Sequence, residues 1–179
     1  VAKEVKIKNP DMIVIIGGPS VPNDASEFMI EHNYIDLCVH QEGEQTILEI
    51  VDTLPNNNYS DIQGLSFRDD DGIIHNTGIR DRIRDFSLIP SPYLSRFFDE
   101  LIEIVGDSHS WLASWESNRG CPFACTYCDW GSATNSKVTR IELERAFEEL
   151  DWFALHKIEF IFVCDANFGM LPRDLEIAD

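Results

Sequence analysis

Three cysteines in one short stretch are the residues of this sequence whose type and spacing favour chemistry. Three residues separate Cys121 from Cys125, and two separate Cys125 from Cys128. A loop with that spacing can place three thiolates around one inorganic cluster, because each iron–sulfur bond needs its own direction of approach and the chain must turn between ligands. The spacing therefore favours an iron–sulfur site.

A zinc site is the main alternative for the same loop. A structural zinc ion takes four ligands, and no fourth Cys or His stands at similarly short spacing here. Three ligands on a four-iron cluster leave one iron open, and an open coordination position is what catalysis requires. A zinc knuckle and a ferredoxin-like cluster completed by another chain remain the non-catalytic alternatives.

Charge and cysteine count limit the possible partners. The chain has 179 residues with 14 Lys+Arg against 32 Asp+Glu, a formal net charge of −18. Nucleic acids and anionic membranes bind proteins through Lys and Arg, so both are disfavoured as partners. The five cysteines are an odd number, which argues against paired disulfides and for a reducing compartment. No apolar run approaches the ~20 residues of a membrane span, and we expect a soluble, cytoplasmic protein.

Strands and helices alternate through the first third of the chain. A β-branched run at 11–18 ends in paired glycines and predicts a strand covered on both faces. A capping pattern predicts a short helix at about 24–32, followed by a buried strand at 35–40 and a helix at 44–54. This βαβα order predicts a parallel sheet. Five apolar residues are expected on the inner side of the second helix: Ile47, Leu48, Ile50, Val51 and Leu54.

A hairpin and a second α/β region follow. An Asp-Gly turn inside 64–76 predicts the hairpin, and a short helical pattern lies at 97–104. The cysteine loop stands between a predicted strand at 111–117 and a helix, and a further buried strand is predicted at 158–164. We interpret Thr139 and Glu142 as a capping box of that helix. Its expected inner face is formed by Leu143, Phe147, Leu150 and Ala154.

The eleven residues Asn118 to Cys128 resemble the cluster-binding loop of the radical S-adenosylmethionine (SAM) enzymes. They match that family's cysteine spacing and carry an aromatic residue directly before the last cysteine. The resemblance implies that Cys121, Cys125 and Cys128 bind a 4Fe-4S cluster whose open iron chelates SAM. It also implies a backbone contact of Tyr127 with the adenine, and reductive cleavage of SAM to a 5′-deoxyadenosyl radical.

The segment 165–169 stands where the family binds the methionine part of SAM. The Gly-Gly-Glu version of that segment is absent, and the resemblance assigns the ammonium group to Asp165 and Asn167, which can hold it by charge and hydrogen bonding. A helix N-cap is the alternative for Asp165. Trp130 either shields the cluster from water or belongs to an ordinary core.

The first region is similar to the second half of the cobalamin-binding Rossmann-like domain that precedes the radical domain in one large subgroup. The resemblance implies two turns that line the pocket for the nucleotide tail, and glycines at strand ends let a backbone approach a bulky ligand. Tight strand-to-helix packing is the alternative explanation for the glycines. Gln41 stands where Gly is usual, and His40, like His32 and His75, is interpreted as a surface or loop histidine. The cobalamin contacts implied are Gly17, Gly18, Pro19, Glu42, Gly43 and Glu44.

The resemblance implies an α/β fold in three parts. These are a partial cobalamin-binding Rossmann-like domain at 1–55, a linker with β-hairpin and short helix at 56–110, and the first βαβ of a partial radical SAM barrel at 111–179. The chain has no initiator Met and ends in what reads as the start of a helix, so we expect a fragment.

The implied function is radical chemistry with a 4Fe-4S cluster, SAM and cobalamin, most simply methyl transfer to an unactivated carbon. A cobalamin-linked radical rearrangement or cyclisation is the runner-up. The implied partners are a small-molecule or peptide substrate and an external electron donor such as flavodoxin or ferredoxin.

Overall fold

The computed structural model of the protein describes residues 1–54, 56, 58–128 and 137–179. The prediction for Trp130 lies outside these residues. The chain divides into two compact units, Val1–Ile83 and Arg84–Asp179, and the division falls within the segment 56–110 predicted as a linker. No helix in the described part of the chain is long and apolar enough to cross a bilayer.

The first unit contains one mixed sheet among its described residues. Its strands run in the order β1-β2-β3-β4, with β1 parallel to β2 and the other neighbours antiparallel. The predicted βαβα order is confirmed. The elements are α1 (Ala2–Lys8), β1 (Ile15–Ile16), α2 (Ser26–Glu31), β2 (Leu37–Val39), α3 (Glu44–Thr53), β3 (Leu65–Arg68) and β4 (Ile74–Asn76).

Strand β2 is the centre of this unit because both of its faces are covered. Leu37 and Val39 pack with Ile50 of α3 in one cluster, while Cys38 packs with Met29 of α2 in another. A strand buried on both faces carries apolar residues continuously rather than alternately, which fits the buried strand predicted at 35–40. Strand β1 was predicted to be covered on both faces, and this is wrong because Ile15 is 38% exposed. Full burial of a side chain such as Leu37 contributes about 1.5–3 kcal/mol, so β2 and its two helices stabilise the edge at which β1 and β2 end.

The predicted hairpin is present, and it extends the first sheet. Strand β3 pairs antiparallel with β2, so that Leu65 lies opposite Val39. At the tip, Gly72 has φ 81°, which glycine adopts without steric cost, and the Asp69 carboxylate accepts the backbone N–H of Ile73 at 2.8 Å. The hairpin therefore belongs to the first compact unit.

The second unit contains a parallel βαβ segment. Strands β5 and β8 pair with each other in parallel, and helix α5 lies between them in the chain. Strand β6 pairs antiparallel with β7. The predicted strand–loop–helix–strand order is confirmed. The elements are the 3-10 helix η1 (Phe86–Leu88), α4 (Asp99–Val105), the 3-10 helix η2 (Gly106–Ser108), β5 (Leu112–Trp115), β6 (Asn118–Arg119), β7 (Thr139–Arg140), α5 (Leu143–Leu155), β8 (Phe160–Val163) and α6 (Arg173–Ala178).

The buried helix faces differ from the predicted ones. Helix α3 buries Thr46 and Ile50, so the prediction is confirmed for Ile50 and wrong for the other four residues, which are exposed: Ile47, Leu48, Val51 and Leu54. Here the side chain facing the sheet is polar at one position: the Thr46 hydroxyl donates to the Gln63 carbonyl at 3.2 Å. A satisfied polar residue can occupy a core position, and apolar periodicity does not reveal it.

The buried face of helix α5 also differs from the predicted one. It buries Ala146, Glu149 and Phe153, while Phe147 is exposed. The capping box is also wrong, because Thr139 lies in β7 and no side chain caps the helix at its N-cap residue Glu142.

Candidate cofactor-binding sites

The cysteine loop leaves the short strand β6 through a glycine. Gly120 has φ 109°, a conformation that L side chains rarely adopt. Cys121 is buried at 9% exposure, whereas Cys125 and Cys128 are exposed. The Cys128 backbone N–H donates to the Cys125 carbonyl at 3.1 Å, so the chain turns between these two thiols.

The donor chemistry of this loop fits an iron–sulfur cluster. All five cysteines lie in the described part of the chain, and none forms a disulfide. No group of three or more His, Cys, Asp or Glu side chains among the described residues is assembled as a ligand set for a metal ion. Thiolates on a turning loop suit a cluster, in which each ligand binds a different iron.

Tyr127 stands between the two exposed cysteines. Its side chain is 89% exposed, and a hydrogen bond with Cys125 raises the pKa of its hydroxyl. The backbone contact with adenine stays a prediction.

Asp165 follows β8 and ties it to the chain that leads into the cysteine loop. Its Oδ1 accepts the backbone N–H groups of Ser117 at 2.7 Å and Asn118 at 3.0 Å. Its Oδ2 accepts the Ser117 hydroxyl at 2.5 Å and the Asn118 amide at 2.6 Å. The alternative interpretation as a helix N-cap is therefore wrong. Burial raises the pKa of this carboxyl, and the hydrogen bonds from Ser117 and Asn118 oppose that rise.

Two buried amide atoms near this carboxylate have no hydrogen-bond partner among the described residues. They are Oδ1 of Asn118 and Nδ2 of Asn167. An unsatisfied buried polar atom costs about 1–3 kcal/mol, so such atoms mark places where a polar ligand group restores the lost bonds. The predicted contact of Asn167 with SAM is compatible with this unused donor and stays a prediction.

Two residues of α6 also hold this region, and no local sequence pattern predicts their role. The Arg173 guanidinium donates to the carbonyls of Ile141 at 2.5 Å and Ser117 at 3.0 Å. The Asp174 carboxylate accepts the backbone N–H groups of Gly169 and Leu171, both at 2.9 Å. Nothing in the local sequence distinguishes this Arg-Asp pair from a solvated helix start.

In the first unit, the two predicted cobalamin turns lie at the same edge because β1 and β2 are parallel. A Cβ added at Gly17 would lie 3.6 Å from Val39 Cβ, and one added at Gly43 would lie 3.3 Å from Val39 Cγ1. The contact at Gly43 is tighter than an ordinary Cβ contact, so packing on Val39 favours glycine there, whereas the contact at Gly17 is an ordinary van der Waals distance. Gly18 has φ 99° and no atom within 4 Å of an added Cβ, so its turn has room for the approach of a ligand.

The second predicted cobalamin turn, at 42–44, is stabilised by an ion pair and a hydrogen bond of Glu42. The Glu42 carboxylate accepts the Arg82 guanidinium at 3.1 Å and the backbone N–H of Ile83 at 2.6 Å. Its side chain is 9% exposed, so this carboxylate secures the turn to residues 82–83. Glu44 opens α3 and, like Pro19, is exposed.

His40 corrects one prediction. It is 4% exposed, and its Nε2 lies 2.8 Å from the Ser66 hydroxyl of β3, so it is a core residue rather than a surface or loop histidine. Burial lowers the pKa of its imidazole. Next to it, Gln41 has φ 58°, which explains why glycine suits this position.

Comparisons with known proteins identify the chain's relatives. It is 42% identical over 181 residues to 2-(S-pantetheinyl)-carbapenam-3-carboxylate methyltransferase of Streptantibioticus cattleyicolor. It is 40% identical over 181 residues to the cobalamin-dependent radical SAM methyltransferase TokK of Streptomyces tokunonensis. The chain is homologous to the cobalamin-dependent radical SAM methyltransferases. Each alignment covers 99% of this chain and 26% of the relative.

Solved structures of cobalamin-dependent radical SAM proteins share the fold. The enzyme OxsB with aqua-cobalamin and SAM bound matches with a TM-score of 0.64 at 22% identity, covering 97% of this chain and 24% of that one. The methyltransferase TsrM from Kitasatospora setae with cobalamin and a [4Fe-4S] cluster bound matches with a TM-score of 0.64 at 16% identity, covering 98% and 35%. No family model matches the chain. The predicted resemblance to cobalamin-dependent radical SAM proteins is confirmed, and the chain spans about a quarter of the two sequence relatives.

Proposed function

We propose that this chain is the segment of a radical SAM methyltransferase that carries the cluster-binding cysteines and part of the cobalamin site. Residues 1–55 belong to the cobalamin-binding domain, and 111–179 form the opening βαβ of the radical barrel. The segment 56–110 leads from one to the other, and its hairpin strands β3 and β4 extend the sheet of the first compact unit. The observation that carries the proposal is the three-cysteine loop, placed directly after β6 in a chain that aligns with TokK over 99% of its length.

In this proposal Cys121, Cys125 and Cys128 hold a 4Fe-4S cluster. When bound, the cluster and cobalamin supply the electron that cleaves SAM and the methyl group that is transferred to an unactivated carbon. The chain's own residues bind and orient: the backbone of Tyr127 contacts the adenine, and Asn167 offers its unused amide donor to the methionine part of SAM. Exposure of Cys125 and Cys128 supports access for cluster assembly.

Two turns of the first unit contribute to cobalamin binding. Gly17, Gly18 and Pro19 form one, and Glu42, Gly43 and Glu44 form the other. The open space at Gly18 and the parallel pairing of β1 with β2 support a ligand at this edge, because ligands of open α/β sheets bind where the strands end. Glu42 acts by fixing the turn through Arg82, and the glycines let the backbone approach the nucleotide tail.

Anaerobic reconstitution with iron and sulfide tests the cluster. We expect about four irons per chain with matching labile sulfide, as a 4Fe-4S cluster requires, and loss of most of that iron in Cys125→Ala. Cys164→Ala is the matched control, since Cys164 lies outside the loop, and it should retain the iron. Tight zinc without labile sulfide would overturn the proposal in favour of a structural metal site.

Product analysis tests the reaction. The reconstituted full-length enzyme that contains this segment, given SAM, a reductant and methylcobalamin, should release 5′-deoxyadenosine, and an acceptor substrate should gain a methyl group. A product that keeps its carbon count would instead support the cobalamin-linked rearrangement or cyclisation. We expect a small-molecule or peptide acceptor and an electron donor such as flavodoxin or ferredoxin.

A further inference from the structure

One carboxylate joins the end of β8 to the start of the cysteine loop. All four hydrogen bonds of Asp165 go to Ser117 and Asn118, at 2.5–3.0 Å. An ionised carboxylate offers about four acceptor positions, so the chain itself uses the capacity of this group. Two of the four donors are backbone N–H groups, which fixes the path of the main chain and not only the side chains.

The same short segment is held from its carbonyl side. The Ser117 carbonyl accepts the Ile141 backbone N–H at 3.1 Å and the Arg173 guanidinium at 3.0 Å. Ser117 and Asn118 are fully buried at 0% exposure. Asp165 and Arg173 both follow β8 in the chain. Asp165 accepts hydrogen bonds from Ser117 and Asn118, and Arg173 donates one to the Ser117 carbonyl, so both stabilise the segment that leads to Cys121.

Asp165 also fixes the orientation of the Asn118 amide. The Asn118 Nδ2 donates to Asp165 Oδ2 at 2.6 Å, and a carboxylate accepts only from the NH2 side of an amide. The amide oxygen therefore points elsewhere, as a buried acceptor without a partner among the described residues. Charge-assisted bonds are about twice as strong as neutral ones, so this orientation is well determined.

We propose that Asp165 is a positioning residue of the cysteine loop: its carboxylate sets the path of Ser117 and Asn118, and through them the placement of Cys121. This inference rests on the proposed function, since it assigns Asp165 to the support of the cluster loop. It replaces a direct contact of this carboxylate with SAM by an indirect role, while Asn167 remains the SAM contact on the same segment.

Matched variants test the positioning role in the anaerobically reconstituted protein. Asp165→Asn keeps the shape but turns one acceptor into a donor that faces other donors, and Ser117→Ala removes one partner of the carboxylate. We expect both variants to lose cluster iron, to change the electron paramagnetic resonance spectrum of the reduced cluster, and to bind SAM about tenfold more weakly, equal to about 1.4 kcal/mol. The double variant should be little worse than Asp165→Asn alone, because both changes act on one network.

Glu149→Gln is the control, since Glu149 is another buried carboxylate of this unit and accepts Trp115 and Arg145 rather than the loop. It should lower the melting temperature while leaving the iron content and the spectrum unchanged. If only Asp165→Asn weakens SAM binding, and Ser117→Ala keeps wild-type affinity and spectrum, the carboxylate contacts SAM directly and the inference fails. Wild-type protein without labile sulfide would instead overturn the proposed function.

If Asp165→Asn does not fold, circular dichroism will show it, and Ser117→Ala then decides. This milder change removes a hydroxyl and leaves the backbone bonds to the carboxylate in place. An altered cluster spectrum in a folded Ser117→Ala protein supports positioning, and an unaltered one contradicts it.

Discussion

The indole N–H of Trp115 donates to the Glu149 carboxylate at 2.6 Å, and this bond joins strand β5 to helix α5 inside the core. The carboxylate also accepts the Arg145 guanidinium at 2.9 Å. Arg145 in turn donates to the carbonyls of Phe86 and Ile89. A buried charge is tolerated here because each of its partners is present.

Trp115→Phe should therefore destabilise the protein. The ring is largely kept, but Glu149 loses its indole donor, and leaving a buried acceptor unsatisfied costs about 1–3 kcal/mol. Urea unfolding at neutral pH measures the free energy of unfolding. Trp152→Phe changes the same residue type in the same unit outside this bond and is the control; an equal loss in both variants would contradict the assignment.

Gln41→Gly should stabilise the first unit. Gln41 has φ 58°, a left-handed conformation that costs a residue with a Cβ roughly 1 kcal/mol, so glycine removes that strain and gains several tenths of a kcal/mol after its larger unfolded-state entropy. Gln41→Ala keeps the strain and should show no gain. A higher urea midpoint for Gly than for Ala is the expected result, and equal midpoints would show that φ is not the reason.

His40 makes stability depend on pH. Burial lowers the pKa of its imidazole below the ordinary value of 6.5, so the folded state binds this proton less readily than the unfolded state. The stability contribution is complete above pH 6.5 and falls as the pH drops through that value toward the lowered pKa. Urea midpoints at pH 7.5 and about 5 should differ less in His40→Gln than in wild type. The control is His109→Gln, at an exposed position beside the Ser108 hydroxyl, which should keep the wild-type difference between the two midpoints.

The rate of thiol alkylation should distinguish the buried Cys38 from the exposed Cys125 and Cys128. Burial raises the pKa of Cys38 to about 11, so at pH 8 only about a thousandth of it is thiolate, the reactive form. Cys125 and Cys128 are exposed and should react first with iodoacetamide in metal-free, reduced protein. Peptide mass spectrometry over time measures the rates, and labelling of Cys38 as fast as Cys125 would contradict its burial in β2.

Local sequence patterns predict the elements better than their buried faces. Helix α3 begins at Glu44 as predicted and ends at Thr53, because the spacing of apolar residues is a local property. Its buried side was predicted correctly at Ile50 but not at Thr46, whose burial depends on the Gln63 carbonyl, 17 residues away. Likewise, the pairing of Leu65 with Val39 attaches the hairpin to the first sheet, and no local pattern specifies that partner.

The candidate sites divide in the same way. The three cysteines lie within eight consecutive residues, so their spacing is visible in the sequence itself. The role of Asp165 depends on Ser117, 48 residues earlier in the chain, and that of Arg173 on a carbonyl 56 residues earlier. The burial of His40 depends on Ser66 of a neighbouring strand. Such roles depend on contacts between segments that are distant in the chain, and the sequence of one segment alone does not predict those contacts.

The distance along the chain between the loop and its support also sets an order of events during translation. Asp165 is synthesised 44 residues after Cys121, and at about 5–20 residues per second the ribosome needs several seconds to add them. Until then the chain lacks the carboxylate that holds the first residues of the loop. The proposed cluster should therefore assemble after β8 and Asp165 are complete rather than when the cysteines are first synthesised.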